Sequence, residues 1–154
     1  MKTILYLIFC LLLATCVPKG IVTKSEMIKQ GITGKVIWVE GNQMPGMNKK
    51  NDNALQGKPV VREIHIYKLV NIRDTESENA FFSQVKGNLV KKVSSDKTGI
   101  FQAALPIGEY SIFIKEGEHL YANIFDGNNN VFPVVVNEDK ITNIQIKIDY
   151  NAAY

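Results

Sequence analysis

From residue 34 onward, apolar positions alternate with polar ones in short runs, broken by clusters of Gly, Pro, Asn and Asp. Lys35 to Val39 places Val36 and Trp38 on one face. Val60 to Val70 points Ile64 and Ile66 one way and Val61, Tyr67 and Leu69 the other, with His65 on the Tyr67 side. Leu89 to Ser95, the Phe101-Ala103-Leu105 run, the Tyr110-Ile112-Ile114 run with Phe113 opposite, Leu120 to Phe125, Val131 to Val136 and Ile141 to Ile148 continue the pattern. Phe81-Phe82 starts a further short strand or packs a loop over the core. The period is two throughout, and no amphipathic helix is long enough to cover a sheet. The expectation is an all-β, antiparallel β-sandwich of about seven to eight strands with a prealbumin-like Greek key, each strand burying one side.

The breaks predict the turns. Ser94 to Gly99 reads as a tight connection whose left-handed position is Gly99, and Pro106-Ile107-Gly108 as a second. Two stretches lack either period and read as loops, the long Gly41 to Gly57 and the polar Asn71 to Asn79.

The N-terminal stretch has a different character. Lys2 precedes the eleven-residue apolar run Ile4 to Ala14, too short to span a bilayer and the size of an export-signal core. Leu13-Ala14-Thr15-Cys16 resembles the processing box of bacterial lipoproteins, with Thr15 departing from the usual Gly, Ala or Ser. That resemblance implies that Cys16 is acylated, as by palmitate, and becomes the first mature residue. Cys10 leaves with the signal, so no intramolecular disulfide can form. The expected organisation is 1–15 signal peptide, 16–33 tether, 34–150 sandwich and 151–154 tail. The net charge is +3, with 18 basic and 15 acidic residues. The charges are dispersed, and only Lys49-Lys50 and Lys91-Lys92 are adjacent basic pairs, which gives a nucleic-acid surface no support.

Three stretches carry a family resemblance. Gly34-Lys35-Val36, then Ser95-Asp96-Lys97-Thr98-Gly99-Ile100-Phe101, then Leu105-Pro106-Ile107-Gly108-Glu109-Tyr110-Ser111-Ile112 resemble the carboxypeptidase regulatory-like domain of the transthyretin (prealbumin) type of sandwich. Val131 to Val136 and Ile144 to Ile148 look like that family's last strand pair. The chain departs from it in two longer loops, Gly41 to Gly57 and Asn71 to Asn88, and in the ending Tyr150-Asn151-Ala152-Ala153-Tyr154. A lipid-anchored chain with one such domain is similar to short lipoproteins of the Bacteroidota. The resemblance implies an accessory or structural module, without a catalytic role of its own.

Candidate chemistry is sparse. His65 and His119 are the two histidines. With Glu63 and Glu118 nearby they fall short of the ligand count of a zinc site, and they read as partly exposed strand residues. No Gly-x-Ser-x-Gly elbow is present. The transthyretin-like branch includes a purine-pathway hydrolase. Resemblance to it would require a first-strand histidine, an arginine and a Tyr-Arg-Gly-Ser ending, where this chain has Lys35, Trp38 and the tail above. Asp126, Asn128 and Asn130 begin an oxygen-ligand spacing that fails at Val131 and Asn137, so a side-chain-stabilised turn is expected over a calcium loop. Asn42, Gln43, Met44 and Met47 are the candidate binding-loop residues. Trp38, Tyr67, Phe81, Phe82, Phe113, Tyr121 and Phe125 could stack on sugars, although a sandwich buries most of its aromatics.

The function expected from these residues is a non-catalytic, lipid-anchored envelope protein acting as a structural or protein-interaction module. The alternative is a glycan- or small-ligand-binding accessory lipoprotein, with a transthyretin-like hydrolase third. No cofactor is expected. The partners are the membrane, through the lipid anchor, and another envelope protein or a glycan. The location is the bacterial outer membrane, with the periplasmic face favoured over the cell surface because no acidic run follows Cys16.

Overall fold

The computed structural model describes residues 27–44 and 57–154, whose regular structure is strand apart from one 3-10 turn, Ile72–Asp74. The strands are β1 (Gly31–Asn42), β2 (Lys58–Pro59), β3 (Glu63–Lys68), β4 (Thr75–Glu78), β5 (Phe81–Val85), β6 (Leu89–Ser94), β7 (Ile100–Ala104), β8 (Gly108–Glu116), β9 (His119–Tyr121), β10 (Pro133–Val136) and β11 (Ile141–Ala153). One sheet runs β11-β1-β2, with β7 also on β1. The other runs β4-β5-β9-β8-β3-β6, with β10 also on β8. The expected all-β, prealbumin-like sandwich is what the chain forms.

The alternating faces meet between the sheets. Ile32 and Val36 of β1, Phe101 and Ala103 of β7, and Ile146 and Ile148 of β11 are all buried. They share one core with Ile64 and Ile66 of β3, Tyr110, Ile112 and Ile114 of β8, and Val134 and Val136 of β10. Each of the larger side chains contributes about 1.5–3 kcal/mol by leaving water. Tyr110 is buried as its parity predicts, and its hydroxyl donates to the Pro106 carbonyl at 2.8 Å. Two glycines are fixed by what lies against them. A Cβ on Gly34 would stand 2.8 Å from the Phe101 ring, which packs down onto the bare backbone of β1. Gly99 has φ +78°, and a Cβ there would come 2.4 Å from the Val36 carbonyl.

Several boundaries differ from the sequence reading. Strand structure starts at Gly31 instead of Gly34, and Gln30 ties it down, its amide donating to Leu105 O and accepting from Asp139 N. The Val60 to Val70 run is not one strand, since it follows the short β2 and narrows to β3, leaving Val61 half exposed. Of the 120–125 run only Leu120 and Tyr121 pair as a strand, in β9, beyond the isolated bridge of Phe125 to Val131. The tail is no tail: Asn151 to Ala153 extend β11 alongside Glu40 to Asn42. β11 lies parallel to β1, the one parallel pair among the described strands, because two strands from opposite ends of a domain need no hairpin between them.

The largest departure is the expected loop 71–88, which folds as the β4–β5 hairpin and adds to β9 at the edge of its sheet. It also closes the outer face of that sheet. His65 lies opposite Phe113 and Tyr67 opposite Ser111, so these four side chains share the face turned away from Ile112 and Ile114. Phe82 of β5 packs edge-on to Phe113 at 5.1 Å and Tyr67 does so at 5.4 Å. The returning chain at Gly87 lies against Tyr67 and Val70. Phe113 and Ser111 are thereby fully buried on a face that a one-layer reading leaves in water.

Candidate functional site

The sequence candidates are scattered. Cys16 and Met47 lie outside the described residues. Gln43 is buried at the end of β1, its N–H donating to Ala153 O and its side-chain amide to Glu40 O. Asn42 Oδ1 accepts from the Met44 N–H at 2.8 Å, and Met44 is exposed. These three residues sit where β1 leaves the sheet, with Gln43 already committed to backbone partners.

The Asp126 turn has its own internal explanation. Asp126 Oδ1 accepts the backbone N–H groups of Asn128 and Asn130, and Oδ2 accepts the Asn130 amide. Those bonds, the Asn130 N–H foremost, hold its carboxyl below the usual carboxylate range. Asn71 crosses over to donate to Asn128 O and Asn130 Oδ1. Both Asp126 oxygens and Asn130 Oδ1, which a calcium loop would direct at an ion, are spent on the turn.

The two histidines stay apart, on β3 and β9 with β8 between them. His65 is only 6% exposed, which corrects the expectation of a partly exposed side chain. Its Nε2 bonds Glu63, and its buried Nδ1 has no partner. An Nε2–H donating to the carboxylate leaves Nδ1 a bare acceptor, the less costly atom to bury unpaired. That hydrogen bond is the main cause lowering the Glu63 carboxyl. Among the described residues no three His, Cys, Asp or Glu side chains are grouped to hold a metal ion.

What the fold does gather is an aromatic cluster between the two sheets. Trp38 of β1 and Tyr150 of β11 meet edge to face at 5.0 Å, and Phe81 of β5 meets Tyr150 at the same distance. Tyr121 of β9 closes the group, 5.4 Å from both Phe81 and Tyr150. Each polar tip is tied to a carboxylate. Trp38 Nε1 donates to Glu40 at 2.8 Å and Tyr150 OH to Glu116 at 3.0 Å. Asp149 accepts from Tyr121 OH, Asn123 and Tyr154 OH. Arg62 pairs with Glu116 at 2.5 Å and lies 5.9 Å over the Trp38 ring. Burial first, then the Asp149 bond, holds the Tyr121 phenol far above its ordinary value. Burial pushes the Asp149 carboxyl up, but the bonds from Tyr154, Tyr121 and Asn123 outweigh it and the net shift is downward. Steep interplanar angles (86° for Trp38 against Tyr150) make this a herringbone and not a flat platform.

No family model matches the chain, and no curated protein does.

Next to Phe81, the β4–β5 hairpin and the start of β9 line a cavity of about 460 Å³, formed by Glu76, Ser77, Glu78, Asn79, Phe81, Ser83 and His119. Phe81 thus both packs against fixed aromatics and lines the cavity. The polar groups here behave differently from those of the cluster. Ser83 donates to Glu76 O, and Glu76 stands 4.0 Å from Lys86. Ser77, Glu78, Asn79 and His119 make no side-chain hydrogen bond among the described residues. Sequence reasoning missed this site because it assigned 71–79 to a loop. The available signal was the alternation Glu76, Glu78 leading through Asn79 into Phe81, a polar edge hairpin turning at a residue that tolerates φ of 55°.

Proposed function

We propose that the chain is a non-catalytic, lipid-anchored protein of the bacterial envelope whose sandwich serves as a structural or protein-interaction module. In this reading Cys16 carries the lipid, the sandwich is of the carboxypeptidase regulatory-like type, and it stands at the outer membrane, facing the periplasm. What supports the non-catalytic reading is how the ionisable groups at the turns and around the aromatic cluster are used. Asp126 holds a turn, Asp149 and Glu116 hold tyrosines, Glu40 holds Trp38, and His65 is buried with its Nε2 bonded to Glu63. A general acid or base must be free to exchange a proton with a substrate, and these groups are engaged in positioning the protein's own rings and turns.

The anchor is tested by fractionating cells that express the full chain or its Cys16→Ala variant. The native chain is expected in the membrane fraction and the variant in the soluble fraction; a variant that stays with the membrane sinks the assignment. Cross-linking in intact envelopes then asks for the protein partner. Recovery of no cross-linked protein from the native chain counts against the interaction-module reading.

A further inference from the structure

We propose that the cavity beside Phe81 is a saccharide-binding site for a neutral or amino-bearing pyranose, an assignment independent of the lipid anchor. A pyranose presents an apolar C–H face and a rim of hydroxyls, and a site for it needs an aromatic surface surrounded by hydrogen-bonding groups. Phe81 supplies the surface. Tyr121 and Tyr150 pack against the ring at 5.4 and 5.0 Å, so it is ordered before any ligand arrives. The rim supplies the rest: the Glu78 carboxylate accepts, and the Asn79 amide, the Ser77 hydroxyl and the His119 imidazole offer both roles. None of these four side chains is hydrogen-bonded among the described residues, in contrast to the tied polar groups of the aromatic cluster.

Charge narrows the class. Glu76 and Glu78 face the cavity, and Lys86 engages only Glu76, loosely, at 4.0 Å. An acidic sugar meets like charge, a neutral sugar meets acceptors for its hydroxyls, and an amino sugar gains a charged partner. The carboxylates by themselves would suit a lysine or arginine of a peptide. An aromatic ring sharing the cavity with amide, hydroxyl and imidazole groups suits a polyol better.

The test uses the full chain purified in detergent, screened on an array of neutral, amino-bearing and acidic oligosaccharides and then titrated calorimetrically with the strongest binder. Binding of neutral or amino-bearing glycans at a Kd of about 1 mM or tighter is expected, with acidic ones rejected. Glu78→Gln and Asn79→Gly, the latter compatible with the φ of 55° at that position, should each weaken binding about tenfold without moving the melting temperature. Phe81→Leu keeps apolar volume, removes the ring face and should abolish binding; should it misfold, the other two variants decide. The proposal is overturned if no neutral or amino-bearing glycan is retained, or if binding ignores both Glu78→Gln and Asn79→Gly. Capture of a Lys/Arg-rich peptide in place of any glycan, lost in the same variants, would make this a peptide site and overturn it equally.

Discussion

Two groups of aromatic rings, on opposite faces of the same sheet, show what this fold does with one residue type. On the outer face, Tyr67, Phe113 and Phe82 pack edge to face at 5.4 and 5.1 Å, sealed by the β4–β5 insertion, and Phe113 and Phe82 have almost no exposure. Between the sheets, Trp38, Tyr150, Phe81 and Tyr121 pack at similar distances, yet Tyr150 stays 40% exposed and three of the four rings end on a carboxylate. The first group is held by exclusion of water. The second is held by directional bonds at its wet edge, which lets it remain rigid while part of it faces solvent. Rigid and partly exposed is the condition for presenting a ring to a ligand; rigid and buried is only packing.

The comparison breaks most visibly at Phe113. Phe113→Ala leaves a void under the insertion and is expected to cost about 3–5 kcal/mol, read from the denaturant midpoint at constant m. A cost near 1 kcal/mol would mean that the outer face is loosely covered. Tyr150→Phe keeps the ring and deletes only the bond to Glu116, so about 0.5–1.5 kcal/mol is expected. Were Tyr150→Phe as damaging as Phe113→Ala, the distinction between exclusion and tethering would collapse.

That distinction was only half legible in the chain. Local chemistry could be read. Asp96 Oδ1 accepts from the N–H groups of Thr98 and Ile100 and from the Thr98 hydroxyl, and Gly99 takes the left-handed position. Both follow from a six-residue stretch that needs no tertiary partner. The burial of Tyr110, Ile112 and Ile114 follows from parity. Register between distant strands could not be read. Trp38 meets Tyr150 only because β11 lies parallel to β1, and nothing local in Tyr150-Asn151-Ala152-Ala153-Tyr154 distinguishes a strand from a frayed end. β4 was hidden for another reason. An edge strand reading Thr-Glu-Ser-Glu has no apolar face to alternate, and its polarity protects the open edge from pairing with another chain.

Asp149 sharpens the comparison through pH. Its carboxyl sits below its ordinary 3.8 because three side chains donate to it. The folded value lies under the unfolded one, so the bonds stabilise the fold above the ordinary carboxyl range and that contribution is lost as pH falls through the folded value. Melting temperatures followed from about pH 7 down to about pH 2 should therefore decline more steeply for the native chain than for Asp149→Asn, with the two curves converging in acid. Parallel curves would show that Asp149 contributes nothing charge-dependent to the cluster. Glu63, Asp96 and Asp126 are also lowered, but they titrate in both proteins, so the difference between the curves isolates Asp149.

The smallest effect is expected at Glu78, where the comparison is most demanding. Glu78 is exposed, its carboxylate makes no hydrogen bond among the described residues, and it ends the edge strand β4. Nothing in the fold is held by its charge, so Glu78→Gln should change stability by no more than about 0.5 kcal/mol. Asp149→Asn, which alters the same number of atoms in the same way, should cost measurably more at neutral pH, because the new amide presents an N–H where a donor already points. Similar costs for the two substitutions would mean that the polar groups around Phe81 are not divided into tied and free sets. A cost at Glu78 well above 0.5 kcal/mol would assign that carboxylate to the fold and remove it from the rim available to a ligand.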